Sequence, residues 1–112
     1  MPLATGDVVF AWFPYQEGPA DNLHPTVVLV PDLPGGSALV CCVTTKKNRF
    51  DSCIELHPED FLGGGMETWP SYVRPYRIAT INTDEMRRKL GQLRPEIIKK
   101  IKTPIEKRLT DI

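Results

Sequence analysis

The 112-residue chain predicts a mainly β domain with α, a small barrel of short strands carrying one short helix and a C-terminal helix. Three observations predict it. Apolar runs of strand length, rich in valine, isoleucine and aromatic residues, recur between residues 8 and 81, bounded by proline, glycine, asparagine and other polar residues. From residue 95 the spacing turns helical, with Ile97, Ile98, Ile101, Ile105 and Leu109 on one face. The length suits a single core and is too short for two, so residues 1–112 are expected to be one domain.

Residues 8–13 form the first predicted strand, closed by Pro14. Residues 14–24 contain Pro14, Gly18, Pro19, Asp21 and Asn22, which is loop chemistry, and a connection of this length in a compact domain is often functional. The second strand covers residues 26–30, with Pro25 at its edge and Pro31 ending it, since proline lacks the N–H that a ladder requires. A turn over residues 32–37 leads into a third strand, residues 38–44, and the two strands make an antiparallel hairpin.

Lys46-Lys47-Asn48-Arg49 is a polar break before a short strand around residues 52–56. His57-Pro58-Glu59-Asp60 and Gly63-Gly64-Gly65 read as loop, and residues 72–74 and 77–81 as one strand bent or bulged at Pro75. Asn82-Thr83-Asp84-Glu85 is a helix-start signal, predicting a brief helix that ends before Gly91. Pro95 suits the first position of the terminal helix, which Pro104 is expected to kink.

Fourteen basic and fourteen acidic residues cancel, so whole-chain charge does not favour a polyanion partner. The distribution is uneven: residues 1–70 hold three Lys/Arg against nine Asp/Glu, and residues 71–112 hold eleven against five. Such a basic segment can follow a phosphate backbone or serve as a solvated helix face. Cys41, Cys42 and Cys53 are odd in number, and neighbours on a strand point to opposite faces, so no disulfide framework is implied. No His or Cys falls at a recognisable metal spacing, and neither metal nor cofactor is expected. The N-terminus lacks a signal-peptide pattern and no apolar run reaches the ~18 residues of a membrane span. A soluble, cytoplasmic protein with no membrane partner is expected.

Two words carry a stronger signal. Gly6-Asp7-Val8-Val9-Phe10 is followed by His24-Pro25-Thr26-Val27-Val28-Leu29-Val30, and further along stand Val43-Thr44-Thr45 and Lys89-Leu90-Gly91-Gln92-Leu93. In order and spacing these resemble the MazF/PemK toxins, over nearly the whole chain. The resemblance implies an SH3-like β-barrel of the MazF and CcdB kind, working as a metal-free endoribonuclease on single-stranded RNA. It also implies a homodimer held in check by a cognate antitoxin. The family's second-strand word is Arg-Pro-x-Val-Val-Leu, and here His24 takes the arginine position. A non-catalytic SH3-like module that binds protein or nucleic acid is the alternative use of such a fold. A third, acting on a protein target such as gyrase as CcdB toxins do, has no specific support in the chain.

RNA cleavage by side chains alone needs a base for the 2′-hydroxyl proton, an acid for the leaving 5′-oxygen and fixed donors around the phosphorane. Thr44 matches the family's catalytic hydroxyl residue at the end of the third strand, with Thr45 as second choice. His24 can give and take a proton where arginine cannot. Tyr76-Arg77-Ile78-Ala79-Thr80-Ile81 looks like the family's late-strand Asp-Gln-Val/Ile stretch, and Arg77 or Arg74 is expected to return the positive charge that His24 removes. Lys46, Lys47, Arg49 and Arg74 are expected to hold the RNA backbone. Phe13, Tyr15, Trp69 and Tyr72 could stack bases, and Glu17 and Asp21 supply acid in the first loop. His57 is expected to be structural.

Overall fold

The computed structural model describes residues 2–12, 23–46 and 52–111. Among these, seven strands form a single sheet: β1 (Asp7–Trp12), β2 (Leu23–Leu33), β3 (Ser37–Thr44), β4 (Ile54–Leu56), β5 (Phe61–Gly64), β6 (Ser71–Asn82) and β7 (Met86–Leu93). The helix α1 (Pro95–Thr110) follows. Every pairing is antiparallel, in the spatial order β4-β6-β3-β2-β1-β7-β5.

The sheet coils without closing, since its edge strands β4 and β5 are not paired with each other. Leu56 of β4 and Phe61 of β5 nevertheless share one core with Val8, Val27, Cys41, Val43, Val73 and Leu93, joined by a 3-10 turn over Pro58–Asp60. Ile97 and Ile101 of α1 are buried in the same core, with Ile98 and Ile105 against it. The predicted apolar face of the helix is therefore real, except that Leu109 is exposed. Pro104 lies inside α1 without ending it. The opposite face of the sheet has its own core of Val9, Ala11, Val28, Val40, Cys42, Ile81 and Met86. Cys41 and Cys42 thus enter different cores, as their adjacency predicts, and all three cysteines are free. Burial pushes the Cys41 thiol up to about 12, which leaves it inert.

The Gly6-Asp7 word has a packing explanation. Gly6 has φ +92°, donates to the Val28 carbonyl (2.8 Å) and accepts from Leu93 (3.0 Å), and a Cβ there would run into Ile98 of α1. Asp7 is buried; it accepts from the Ala4 amide (2.9 Å) and pairs with Lys89 Nζ (3.1 Å), joining β1 to β7.

The predicted helix at residues 82–91 is wrong. Its start signal is genuine, because Asn82 accepts a hydrogen bond from the Asp84 amide (3.0 Å), but only a 3-10 turn over Thr83–Glu85 results. Residues 86–93 are captured as β7 between β1 and β5, burying Met86, Gly91 and Leu93 and leaving Arg87, Arg88 and Lys89 exposed. Met-Arg-Arg-Lys-Leu is made of helix formers, and pairing on both sides outweighs that weak preference. The predicted loops at 57–60 and 63–65 are also partly ordered, as the 3-10 turn and as β5. β2 extends beyond residues 26–30 in both directions, passing Pro31 where its register with β3 shifts. No helix among the described residues is long and apolar enough to cross a membrane.

The β5–β7 crossing sets a stability test. A Cβ on Gly91 would lie 2.6 Å from the Gly63 carbonyl oxygen and 2.8 Å from the Gly65 nitrogen, whereas one on Gly63 would meet nothing within 4 Å. Gly91→Ala is expected to destabilise by about 1–3 kcal/mol, and Gly63→Ala to stay within about 0.5 kcal/mol, by urea denaturation. Equal costs at the two positions would contradict this packing.

Candidate active site

β2 and β3 pair Thr26 with Cys42 and Val27 with Cys41. Carried two residues toward the open end of the hairpin, the same register sets His24 beside Thr44. Both line one cleft of about 270 Å³, together with Thr45, Lys46, Pro25, Val43, Met66 and Ser71. His24 belongs to β2 itself, opposite Ala11 of β1, and is half-buried. That burial lowers its pKa from the ordinary value of 6.5, because a low-dielectric surround penalises the imidazolium. The ring is therefore neutral at pH 7 and can accept a proton.

Thr44 ends β3, and its hydroxyl oxygen accepts from the Lys46 amide (3.2 Å). This fixes the oxygen and leaves the hydroxyl proton to be donated into the cleft. Thr45 and Lys46 are exposed at the rim. Ser71 is buried and donates to the Thr68 carbonyl (2.6 Å), closing the cleft floor. Neither Ser71 nor Met66 was among the predicted site residues; one follows a proline and the other a glycine run, and no local signal directs either toward β2.

A bulge sets where the two arginines of β6 lie. β3 and β6 pair Cys41 with Ile78 but Cys42 with Arg74, so Pro75, Tyr76 and Arg77 are extra on β6. Proline has no N–H to give the ladder, which suits it to such a place. Beyond the bulge Val43 pairs with Val73 and Thr44 with Tyr72. Arg74 therefore stands diagonal to Thr44 on the same face, within reach for a long side chain. Arg77 is exposed and lines a separate cleft of about 50 Å³ with Ser52, Arg74, Pro75 and Tyr76. The structure brings together His24, Thr44, Thr45 and Lys46; Arg74 is one diagonal away from Thr44 by register, and both Arg74 and Arg77 line the neighbouring cleft and not the His24 cleft.

Lys47, Arg49, Phe13, Tyr15, Glu17 and Asp21 lie outside the described residues. Trp69 packs edge-on against Phe61, with ring centres 5.6 Å apart, and joins the core side more than the cleft. Among the described residues no three His, Cys, Asp or Glu side chains converge.

The model of one known family, described as "PemK-like, MazF-like toxin of type II toxin-antitoxin system", matches residues 4–109. The chain belongs to this family. Solved structures show the same fold. An endoribonuclease in complex with its cognate antitoxin, from a mycobacterial species, superposes with TM-score 0.72 at 21% identity, covering 98% of this chain and 96% of that one. A second mycobacterial endoribonuclease gives 0.69 at 21% identity, covering 97% and 91%. The Mycobacterium tuberculosis toxin MazF-mt6 gives 0.58 at 18% identity, covering 87% and 96%. No curated protein matches significantly in sequence.

The burial of His24 is testable in solution. Its imidazole signals in NMR are expected to titrate with a midpoint below 6.5. Because the unfolded chain takes up this proton more readily, the contribution of His24 to stability is full above about pH 6.5 and falls as pH drops toward the folded midpoint. A midpoint at or above 6.5 would remove the case for a buried neutral ring.

Proposed function

We propose that this toxin is an endoribonuclease cutting single-stranded RNA with its own side chains. The observation that carries the reading is the pairing of His24 with Thr44 in one cleft of a family toxin. Neutral His24 takes the 2′-hydroxyl proton as the 2′-oxygen attacks phosphorus, forming the O2′–P bond and breaking P–O5′. The departing 5′-oxygen takes a proton from water at the exposed rim, and His24 later returns its proton to solvent. The products are a 2′,3′-cyclic phosphate and a 5′-hydroxyl.

Thr44 donates to a non-bridging oxygen of the phosphorane. Arg74 and Lys46 supply the positive charge, since neutral His24 adds none. Donors aimed at developing charge in a partly desolvated cleft contribute most of such catalysis. Lys47 and Arg49, one and three positions after Lys46 in sequence, are assigned to the RNA backbone as well. Thr45 holds the rim as an auxiliary hydroxyl. Arg77, one cleft away, serves the backbone of the RNA and not the scissile phosphate.

A cognate antitoxin is proposed as the natural inhibitor, supported by the complex of the similarly folded mycobacterial endoribonuclease. A homodimer is proposed as the working form. The exposed Tyr76 and Ile78 of β6 and Leu109 of α1 support it, with Arg108 lying over the Tyr76 ring (6.0 Å) to draw the helix end to that strand.

Purified protein incubated in chelator with a long single-stranded RNA is expected to leave 5′-hydroxyl ends. His24→Ala and Thr44→Val should each slow cleavage by about 10²–10⁴-fold. The rate should rise with pH through a midpoint below 6.5, as His24 loses its proton. Absence of cleavage across about pH 5–9 overturns the enzyme, and an unchanged rate in His24→Ala overturns its role as base.

A further inference from the structure

The polar row that begins with His24 and Thr44 does not end there. Thr44 pairs with Tyr72 of β6, and Tyr72 pairs with Glu55 of β4. Residues paired across antiparallel strands share a face, so His24, Thr44, Tyr72 and Glu55 form one line over β2, β3, β6 and β4. At about 4.8 Å between strands the line is about 14 Å long. The residues flanking Glu55 belong to the other side, since Leu56 is buried in the inner core and Ile54 packs against it.

The far end of the row is built and half-exposed. His57 Nε2 lies 2.7 Å from Glu55 Oε2, with 44% and 48% of the two side chains exposed. Partial burial, and then the charged, hydrogen-bonded Glu55 carboxylate, push the Tyr72 phenol above its usual value, so it remains a protonated donor. Glu55 is thereby oriented from two sides. Its negative charge has no use in the cleavage proposed above. His57 and Tyr72 take up part of its acceptor capacity, and a base edge rich in donors can use the rest.

We propose that Tyr72 and Glu55 form a base-reading subsite beside the scissile phosphate, which selects a guanine. The inference rests on the nuclease reading for the position of the phosphate. The Tyr72 ring is a stacking platform next to Thr44, of the kind that holds unpaired bases. An ionised carboxylate only accepts hydrogen bonds. Guanine offers two adjacent donors, N1–H and N2–H, to its two oxygens. Adenine and cytosine offer one amino group, and uracil offers one imino group between two repelling carbonyls. His57, whose amide also donates to Asp60 at the start of the 3-10 turn (2.8 Å), is a positioning residue that holds the carboxylate, in addition to the structural role expected for it.

Binding and cleavage test this separately. In a Thr44→Ala background, short fluorescent single-stranded RNAs differing in one central base are compared by anisotropy. The guanine RNA is expected to bind about tenfold more tightly than the other three, within the range of a good bidentate contact. Glu55→Gln should abolish that preference. Tyr72→Phe should keep affinity and reduce the preference, and Tyr72→Ala should weaken all four RNAs about fivefold or more. Equal binding of the four RNAs, or a preference that survives Glu55→Gln, overturns the subsite. If the wild-type protein prefers guanine yet never cuts, the nuclease reading fails and the subsite stands. If it cuts without a Glu55-dependent base preference, the subsite fails and the nuclease reading stands.

Discussion

β3 is hydrogen-bonded on both sides, to β2 and to β6, and the functional face is aligned by those two registers. In an antiparallel sheet a shift of one residue in pairing exchanges every side chain between faces. Burial on both faces of this sheet prevents such a slip: Cys41 and Val43 fill one core while Val40 and Cys42 fill the other. The hydrophobic pattern of β3 therefore fixes which face Thr44 presents, and with it the rank of polar residues to either side. Packing and site geometry are here one constraint, because the site is the polar continuation of strands whose middles are fully buried.

The bulge at Pro75 shows how one irregularity in that ladder distributes chemistry. Had β6 kept the pairing that joins Cys41 to Ile78, Arg77 would lie opposite Cys42 and Pro75 opposite Thr44. The three extra residues replace them with Arg74 and Tyr72. An arginine diagonal to Thr44 and an aromatic residue paired with it both follow from the length of the bulge. Pro75 is buried while Tyr76 and Arg77 are exposed, so the bulge is anchored by its proline and turned outward by the other two.

Much of this was legible before any coordinates. β1, β3 and the middle of β2 announced themselves through short apolar runs rich in valine, and α1 through its isoleucine spacing, because burial imposes those patterns directly. The break at Pro75 was visible for the same reason that prolines are excluded from ladders. β7 was not legible, since Arg87, Arg88 and Lys89 face solvent and its pairing comes from β1 and β5, which are distant in the chain. The choice between Arg74 and Arg77 was likewise hidden, because it depends on the number of residues in the bulge. Ser71 and Met66 joined the candidate site only through the folded cleft that they line, and no property of their own neighbours marks them.

The exchange of arginine for His24, relative to the family word, changes what the rest of the cleft must do. Arginine brings a permanent charge and a fork of donors to phosphate, while a half-buried neutral imidazole brings a base and no charge. A phosphorane gains negative charge as it forms, so a cleft with neutral His24 relies on cations placed by other strands. Arg74 is placed on the shared face by the bulge, and Lys46 is tied to the site by the hydrogen bond from its amide to Thr44. Protonating His24 would restore the charge but remove the base. Burial settles that conflict in favour of the base, so in the proposed mechanism the charge that the arginine would bring has to come from Lys46 at the rim and from Arg74 one diagonal away.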